Sequence, residues 1–288
     1  FTTDAFCGNS MAIVHESDGL NTAQMIAIAR EFNLSETVFV LAPQNPLCRA
    51  FIRIFKPDGE TPFAGHPTIG AAISLALRQG TKNDLLMTVE EKIGPVRCVV
   101  NFGEETLYAE FDLPKQPARR TMSLETEVFA AAFGLENSNI GFDNHVPCLW
   151  DAGVPYFFVP VKHLTAVAAV SPDPLYISQN FAKIEGRIPS FYFYCREAQR
   201  FESAFHARMF RHDGSEDAAT GSAASAFIGV VQHFNRLPDG YRQVWLEQGF
   251  EMGRPSRIRL AWSVENGILV SARIGGNAVR VARGELLC

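Results

Sequence analysis

Residues Arg208 to Ser225 read R-M-F-R-H-D-G-S-E-D-A-A-T-G-S-A-A-S, and residues Arg53 to Ala72 read R-I-F-K-P-D-G-E-T-P-F-A-G-H-P-T-I-G-A-A. Arg53, Phe55, Asp58 and Gly59 of the earlier stretch recur as Arg208, Phe210, Asp213 and Gly214, each 155 positions later. The chain therefore contains one internal duplication, and every other segment takes its place relative to these two.

Each copy runs into a small-residue turn, A-G-H-P-T or A-A-T-G-S, followed by apolar residues at helical spacing. Ile69, Ala72, Ile73, Ala76 and Leu77 form one stripe, and Ala223, Phe227, Val230, Val231 and Phe234 the other. Each turn is thus a predicted helix N-terminus. The first amides of a helix lack internal partners and carry partial positive charge, which suits a carboxylate or an oxyanion. Gly, Thr and Ser are also ordinary capping residues. Duplication favours the binding reading, because clefts where two halves meet commonly hold ligands.

Composition narrows the partners. A chain of 288 residues corresponds to about two ordinary domains. With 26 basic and 31 acidic residues its net charge is −5, and it shows no basic footprint for nucleic acid or acidic lipid. No apolar run is long enough to span a bilayer and no signal peptide is visible. The six cysteines are scattered singly, without C-x-x-C or C/H spacing, so neither a metal site nor a disulfide framework is expected and a cytoplasmic location is. The chain opens on Phe1 without a methionine, so a few residues of a first strand are expected to precede it.

Along the chain, Asn21 caps a predicted helix carrying Met25, Ile26, Ala29 and Phe32, which ends at Asn33. Thr37 to Leu41 reads as a strand, with Ser35 and Glu36 at its entrance. Such a glutamate is ordinarily a solvated loop charge, yet it adjoins a buried strand edge where desolvation tunes a carboxyl for proton transfer. Strands follow at Cys48–Phe55, Leu85–Val89, Val96–Val100 and Thr106–Phe111, and in the second half at Ala204–Phe210, Val244–Gln248, Arg257–Trp262 and Ile268–Ile274. Glu90 to Val96 and Glu247 to Pro255 look like counterparts, as do Gly8 to Val14 and Gly153 to Val159. Polar, proline-containing Asp112 to Ser123 reads as the linker, before a helix at Leu124–Phe133. The expected architecture is α+β: two halves, 1–118 and 119–288, each a mostly antiparallel sheet around a long helix, with the strand from Ala278 onward returning to the first half.

Taken together, F-x-G-N-S-x-A-I-V, N-L-S-E-T-V-F-V, A-G-H-P-T, E-D-A-A-T-G-S-A-A, M-G-R-P-S and the closing G-G-N-A-V resemble the PhzF family of phenazine-biosynthesis isomerase-like proteins, from Phe6 to about Val281. The resemblance implies the diaminopimelate epimerase-like fold, with two pseudo-symmetric halves and the active site between them. It implies Glu36 as catalytic acid/base, His66 and Asp217 as catalytic partners, and Ser35, Gly65, Gly221 and Ser222 as substrate-binding residues. The implied chemistry is a proton shift within a small cyclic or conjugated carboxylic acid, without cofactor or metal. A homodimer is also implied.

Physically such a reaction needs one base near neutral pH and donors for the charge that develops. Phe39 and Phe63 are expected to wall Glu36, whereas His206, His212 and Asp213 are expected to be surface or loop groups, and Asp217 doubles as a helix-capping residue. Two departures from the family pattern stand out: Ala218 occupies a place usually held by proline, and the loop Arg211 to Glu216 is about two residues short. The epimerase relatives carry one cysteine at each repeat turn, and here those positions are Ala64 and Ala218. An amino-acid epimerase and a non-catalytic acid-binding protein are the alternatives.

Overall fold

The computed structural model describes residues 1–80, 83–103 and 106–287. The chain divides into two compact units, one comprising 1–114 and the segment from Gly275 onward, the other 115–274. In the first unit, strands β1 (Met11–Val14), β2 (Glu36–Leu41), β3 (Ala50–Lys56), β4 (Gly59–Thr61), β5 (Leu85–Glu91), β6 (Gly94–Phe102) and β7 (Leu107–Asp112) accompany helices α1 (Thr22–Phe32) and α2 (Gly65–Gln79). Their sheet order is β1-β2-β3-β5-β6-β7, with β4 folded onto β3. Asn21 closes a capping box with Gln24 at the start of α1, and Asn33 ends that helix in the left-handed conformation.

Alternation along β2 and β3 sorts their side chains between two faces. Thr37 lies opposite Phe55 and Phe39 opposite Arg53, so these four share a face. On that face Phe39 and Phe55 pack edge to face with Met25 and Ala29 of α1. Glu36 has the opposite parity and shares the other face with Val38 and Val40. Phe39 therefore does not wall Glu36: an odd number of residues along a strand separates the faces. Helix α2, buried nearly throughout, packs against β1, β2, β5, β6 and β7.

The second unit contains β8 (Ala118–Arg120), α3 (Thr126–Phe133), β9 (Cys148–Asp151), β10 (Pro155–Pro160), α4 (Leu164–Ala168), α5 (Pro174–Asn180), β11 (Ser190–Cys195), β12 (Ser203–Phe210), β13 (Glu216–Asp217), α6 (Gly221–Asn235), β14 (Gly240–Gln248), β15 (Ser256–Glu265) and most of β16 (Ile268–Ala278). The order is β8-β9-β10-β11-β12-β14-β15-β16, with β13 on β12. One face is dominated by a phenylalanine-rich core, in which Phe129 and Phe133 of α3 meet Phe157, Phe191, Phe193 and Phe210 of the sheet. In the proline-containing stretch, Ala118–Arg120 pairs with β9, and Lys115 and Arg120 both reach the buried carboxylate of Asp151.

The duplication extends to topology. β1 and β2 are parallel, β2 and β3 antiparallel, β3 and β5 parallel; β10 and β11, β11 and β12, and β12 and β14 repeat the succession. The sheets are thus mixed. In both units the strand pair before the long helix is a hairpin turning at Asp-Gly, and in both an arginine on its first strand clasps a glutamate on its second. Arg53 Nε and Nη2 donate to Glu60 Oε1 and Oε2, each at 2.8 Å. Arg208 Nε and Nη2 donate to Glu216 Oε1 and Oε2, again at 2.8 Å. The fork geometry of arginine matches a carboxylate in two parallel bonds, the strong form of this contact.

Arg208 also donates to the carbonyls of Val167, Ala168 and Val170, which lie at and just after the end of α4. Arg208→Ala is expected to destabilise the protein by about 3 kcal/mol or more, since a half-buried carboxylate and these carbonyls lose their donor. Arg53→Ala is expected to cost less, because Lys92 Nζ remains 2.7 Å from Glu60 Oε2. Urea unfolding midpoints at constant m-value measure both.

Candidate active site

In the first unit Glu36 is the first residue of β2, beside Met11 in parallel register. Helix α2 begins at Gly65 after Ala64, which offers no side-chain cap to its first amides. His66 is therefore the second helical residue, on the element that covers the Glu36 face of the sheet. Its Nε2 lies 2.9 Å from Glu36 Oε2, with both side chains only 6% exposed. The approach is close but lacks the alignment of a hydrogen bond. Catalytic contacts without ligand are often poorly aligned in this way. Ser35 Oγ donates to Asn9 Oδ1 at 2.6 Å, tying the entrance of β2 to the loop before β1. Phe63 is buried edge-on against Phe111 just before α2.

The second unit holds a cluster at the start of α6. Thr220 precedes Gly221, and its hydroxyl donates to Asp217 Oδ2 at 2.6 Å instead of capping the helix. Asp217, three residues ahead of Thr220, is thus held by it and lies 3.6 Å from Arg211 Nη2; Thr220 occupies the N-cap position of α6. Gln248, fully buried at the end of β14, donates to Asp217 O at 2.7 Å and Thr220 Oγ1 at 3.0 Å, and accepts from Thr220 N and the Tyr192 hydroxyl. Ser222 Oγ lies 2.7 Å from the Tyr156 hydroxyl. Among the predicted residues, Glu36, His66, Ser35 and Gly65 lie in the first unit, and Asp217, Gly221 and Ser222 in the second.

Several polar groups escaped the sequence reading. Gln248 and Glu91 both end a strand, in phase with buried apolar residues (Leu246; Met87 and Val89), and each turns a buried side chain toward the start of the long helix of its own unit. Glu91 Oε1 lies 2.7 Å from Thr68 Oγ1, which is also 2.8 Å from Ala64 O. His206 is not a surface group: it sits on β12 with no exposure. Its Nδ1 is 2.8 Å from Glu247 Oε1 and its Nε2 2.8 Å from Glu251 Oε1. Burial alone would depress this imidazole, but the two carboxylates carry it up to about 9. It is an imidazolium with both nitrogens engaged, and a poor metal ligand. His212 and Asp213 are exposed as expected.

Among the described residues no three His, Cys, Asp or Glu side chains converge as metal ligands. Cys48, Cys98, Cys148 and Cys195 are free thiols, none in either helix-start turn. No helix among the described residues is long and apolar enough to cross a membrane.

The turn after Gln248 depends on Gly249. Its φ is +82°, and a Cβ there would lie 2.5 Å from the carbonyl oxygens of Ala218 and Arg254. Gly249→Ala is expected to destabilise the second unit by about 2 kcal/mol or more, from left-handed strain and backbone collision together. A loss under ~0.5 kcal/mol in urea unfolding would contradict this packing.

A family model described as phenazine biosynthesis-like protein, PhzC-PhzF, matches residues 1–284. The chain is 50% identical over 289 residues to an uncharacterized isomerase of Mesorhizobium japonicum, covering 99% of this chain and 96% of that protein. It is 32% identical over 291 residues to trans-2,3-dihydro-3-hydroxyanthranilate isomerase of Pseudomonas aeruginosa, covering 99% and 96%. The crystal structure of a Bacillus anthracis phenazine biosynthesis protein of the PhzF family is similar with a TM-score of 0.87 at 24% identity, over 100% of this chain and 96% of that one. A probable proline racemase of Agrobacterium radiobacter shares the fold more distantly, with a TM-score of 0.60 at 14% identity over 88% and 78%. The architecture is accordingly the diaminopimelate epimerase-like α+β fold. With its whole length matched and its relatives named as isomerases, the chain belongs to the phenazine biosynthesis-like PhzC-PhzF family and is an isomerase of that family.

Proposed function

We propose that this isomerase moves a proton within a small cyclic or conjugated carboxylic acid, with Glu36 as general acid/base. The observation that supports this most is the buried Glu36–His66 pair, 2.9 Å apart at the mouth of an uncapped helix. A carboxylate removed from water is a stronger base than one in solvent, and an adjacent imidazole can steady the charge it gains or sheds. In the reaction a Glu36 oxygen takes the proton from an acidic carbon, the electrons of that C–H bond enter the conjugated system, and the Glu36 carboxyl, whose proton exchanges with solvent in the meantime, protonates another carbon. One C–H bond breaks and one forms, so no oxidant, reductant or group donor is required.

His66 is assigned to hold Glu36 and meet developing charge, while Ser35 and Gly65 shape and bind the substrate end of the first unit. In the second unit Gly221 and Ser222 are assigned to binding through the open amides of α6, and Asp217 to proton handling, oriented by Thr220. Relatives near 30% identity carry the name trans-2,3-dihydro-3-hydroxyanthranilate isomerase, which makes dihydro-hydroxyanthranilates the first acids to test. Alanine at both Ala64 and Ala218 leaves no thiol for two-cysteine epimerisation.

Proton NMR in deuterated water, run on a panel of such acids, is expected to show deuterium entering carbon positions with the wild-type protein. Glu36→Gln is expected to slow this about 10²- to 10⁴-fold while ligand binding persists, and His66→Asn to slow it less. Binding of an acid by wild type without any carbon-proton exchange would instead indicate a binding protein.

A further inference from the structure

The two units solve the same local problem with different chemistry. In both, the strand parallel to the hairpin's first strand ends on a pair of polar residues, Glu90-Glu91 in β5 and Glu247-Gln248 in β14. The first member of each pair faces away from the long helix and accepts two successive backbone amides, Gln44 and Asn45 for Glu90, Gln199 and Arg200 for Glu247. The second member is buried and secures the residues that begin the long helix. In the second unit this anchor is an amide, whose NH₂ donates to Thr220 Oγ1. In the first unit a carboxyl stands in its place.

Hydrogen-bond accounting identifies the state of that carboxyl. The Thr68 hydroxyl has a single proton and two acceptors within reach, Ala64 O at 2.8 Å and Glu91 Oε1 at 2.7 Å. Both contacts are satisfied at once only if Glu91 supplies a proton of its own. Glu91 Oε2 is buried without a hydrogen-bond partner. Among the described residues no cation lies at ion-pair distance from it; its neighbour Lys92 pairs with Glu60. On β6 the Cys98 thiol, across from Met87 and on the same face as Glu91, is pushed well up, chiefly by burial and further by Glu91 when that carboxyl is ionised and by Asp112, and from α2 Glu91 meets Thr68. An ionised carboxylate so placed would be uncompensated, and burial raises Glu91 to about 8.

We propose that Glu91 is a neutral carboxylic acid in the working protein, and that its O–H, donated to Thr68, is the positioning element that holds the first turn of α2 and sets His66 against Glu36. The turn after β5 adds a second tie, from Ile93 N to Pro62 O just ahead of α2. Glu91 acts through Thr68 and the helix and touches no substrate; only its consequence for catalysis rests on the proton-transfer reading above. The folded-state pKa lies above the ordinary value of 4.5, so the stabilisation is fully present below about 4.5 and is lost as pH rises to about 8.

The test compares wild type with Glu91→Gln, Glu91→Leu and Thr68→Val by infrared difference spectroscopy, thermal unfolding and nitrogen NMR of the His66 ring, from below pH 4.5 to well above pH 8. Expected are a carboxylic-acid carbonyl band in wild type that disappears above about pH 8, is missing from Glu91→Gln and shifts in Thr68→Val. Wild-type melting temperature should fall with pH relative to Glu91→Gln across that window, and the His66 ring signals should move with the loss of the band. Glu91→Gln should match wild type at low pH, whereas Glu91→Leu should be weakened throughout. Should Glu91→Gln not fold, the wild-type and Thr68→Val band positions decide the protonation state directly. A spectrum with no acid band at neutral pH, or an equal pH slope in wild type and Glu91→Gln, overturns it. These readouts need no substrate, so they separate failure of this proposal from failure of the proton-transfer reading.

Discussion

Two guanidinium–carboxylate clasps, Arg53 with Glu60 and Arg208 with Glu216, set the geometry on which each unit depends. A short hairpin alone is marginal in water, and the strand after each Asp-Gly turn is only two or three residues long. The bidentate clasp holds it on the sheet, and the chain leaves it aimed at the start of the long helix. Each arginine also lies over a phenylalanine two residues on, Phe55 at 5.0 Å and Phe210 at 4.6 Å, so the cation is packed as well as paired. The R-x-F-x-x-D-G spacing is thus a structural specification that happens to deliver a helix N-terminus to a defined place.

That specification explains what could be read before any coordinates. The duplicated motif located both helix starts and the strand ahead of each, because turn chemistry and helical periodicity are local; the short second strand of each hairpin carries too few residues to show a period. Glu36 and His66 could be singled out from their motifs, but their 2.9 Å approach is a tertiary fact, set by the parallel register of β1 with β2 and the packing of α2 over that face.

Other features lay outside local signals. Strand β11, S-F-Y-F-Y-C, is buried almost throughout and shows no alternation, as expected of a strand covered on both faces. The short helices α4 and α5 have too few turns for a period to emerge. Phe39 looked like a wall for Glu36 because the two are close in sequence; the strand's twofold alternation puts it into the α1 core instead. His206 resembled a surface residue because nothing in sequence announces that Glu247 and Glu251 converge on it.

Both long helices begin without a side-chain cap: Ala64 has nothing to offer, and the Thr220 hydroxyl is turned toward Asp217. A capping residue there is ordinarily worth about 1 kcal/mol. The start of α2 in this chain therefore sits below the stability the fold could reach, and the most direct route to a sturdier protein is a serine or aspartate at position 64. A selection for heat tolerance would find that substitution early, and would silence the open amides by the same change. In this fold, robustness and an available helix end compete for a single side chain.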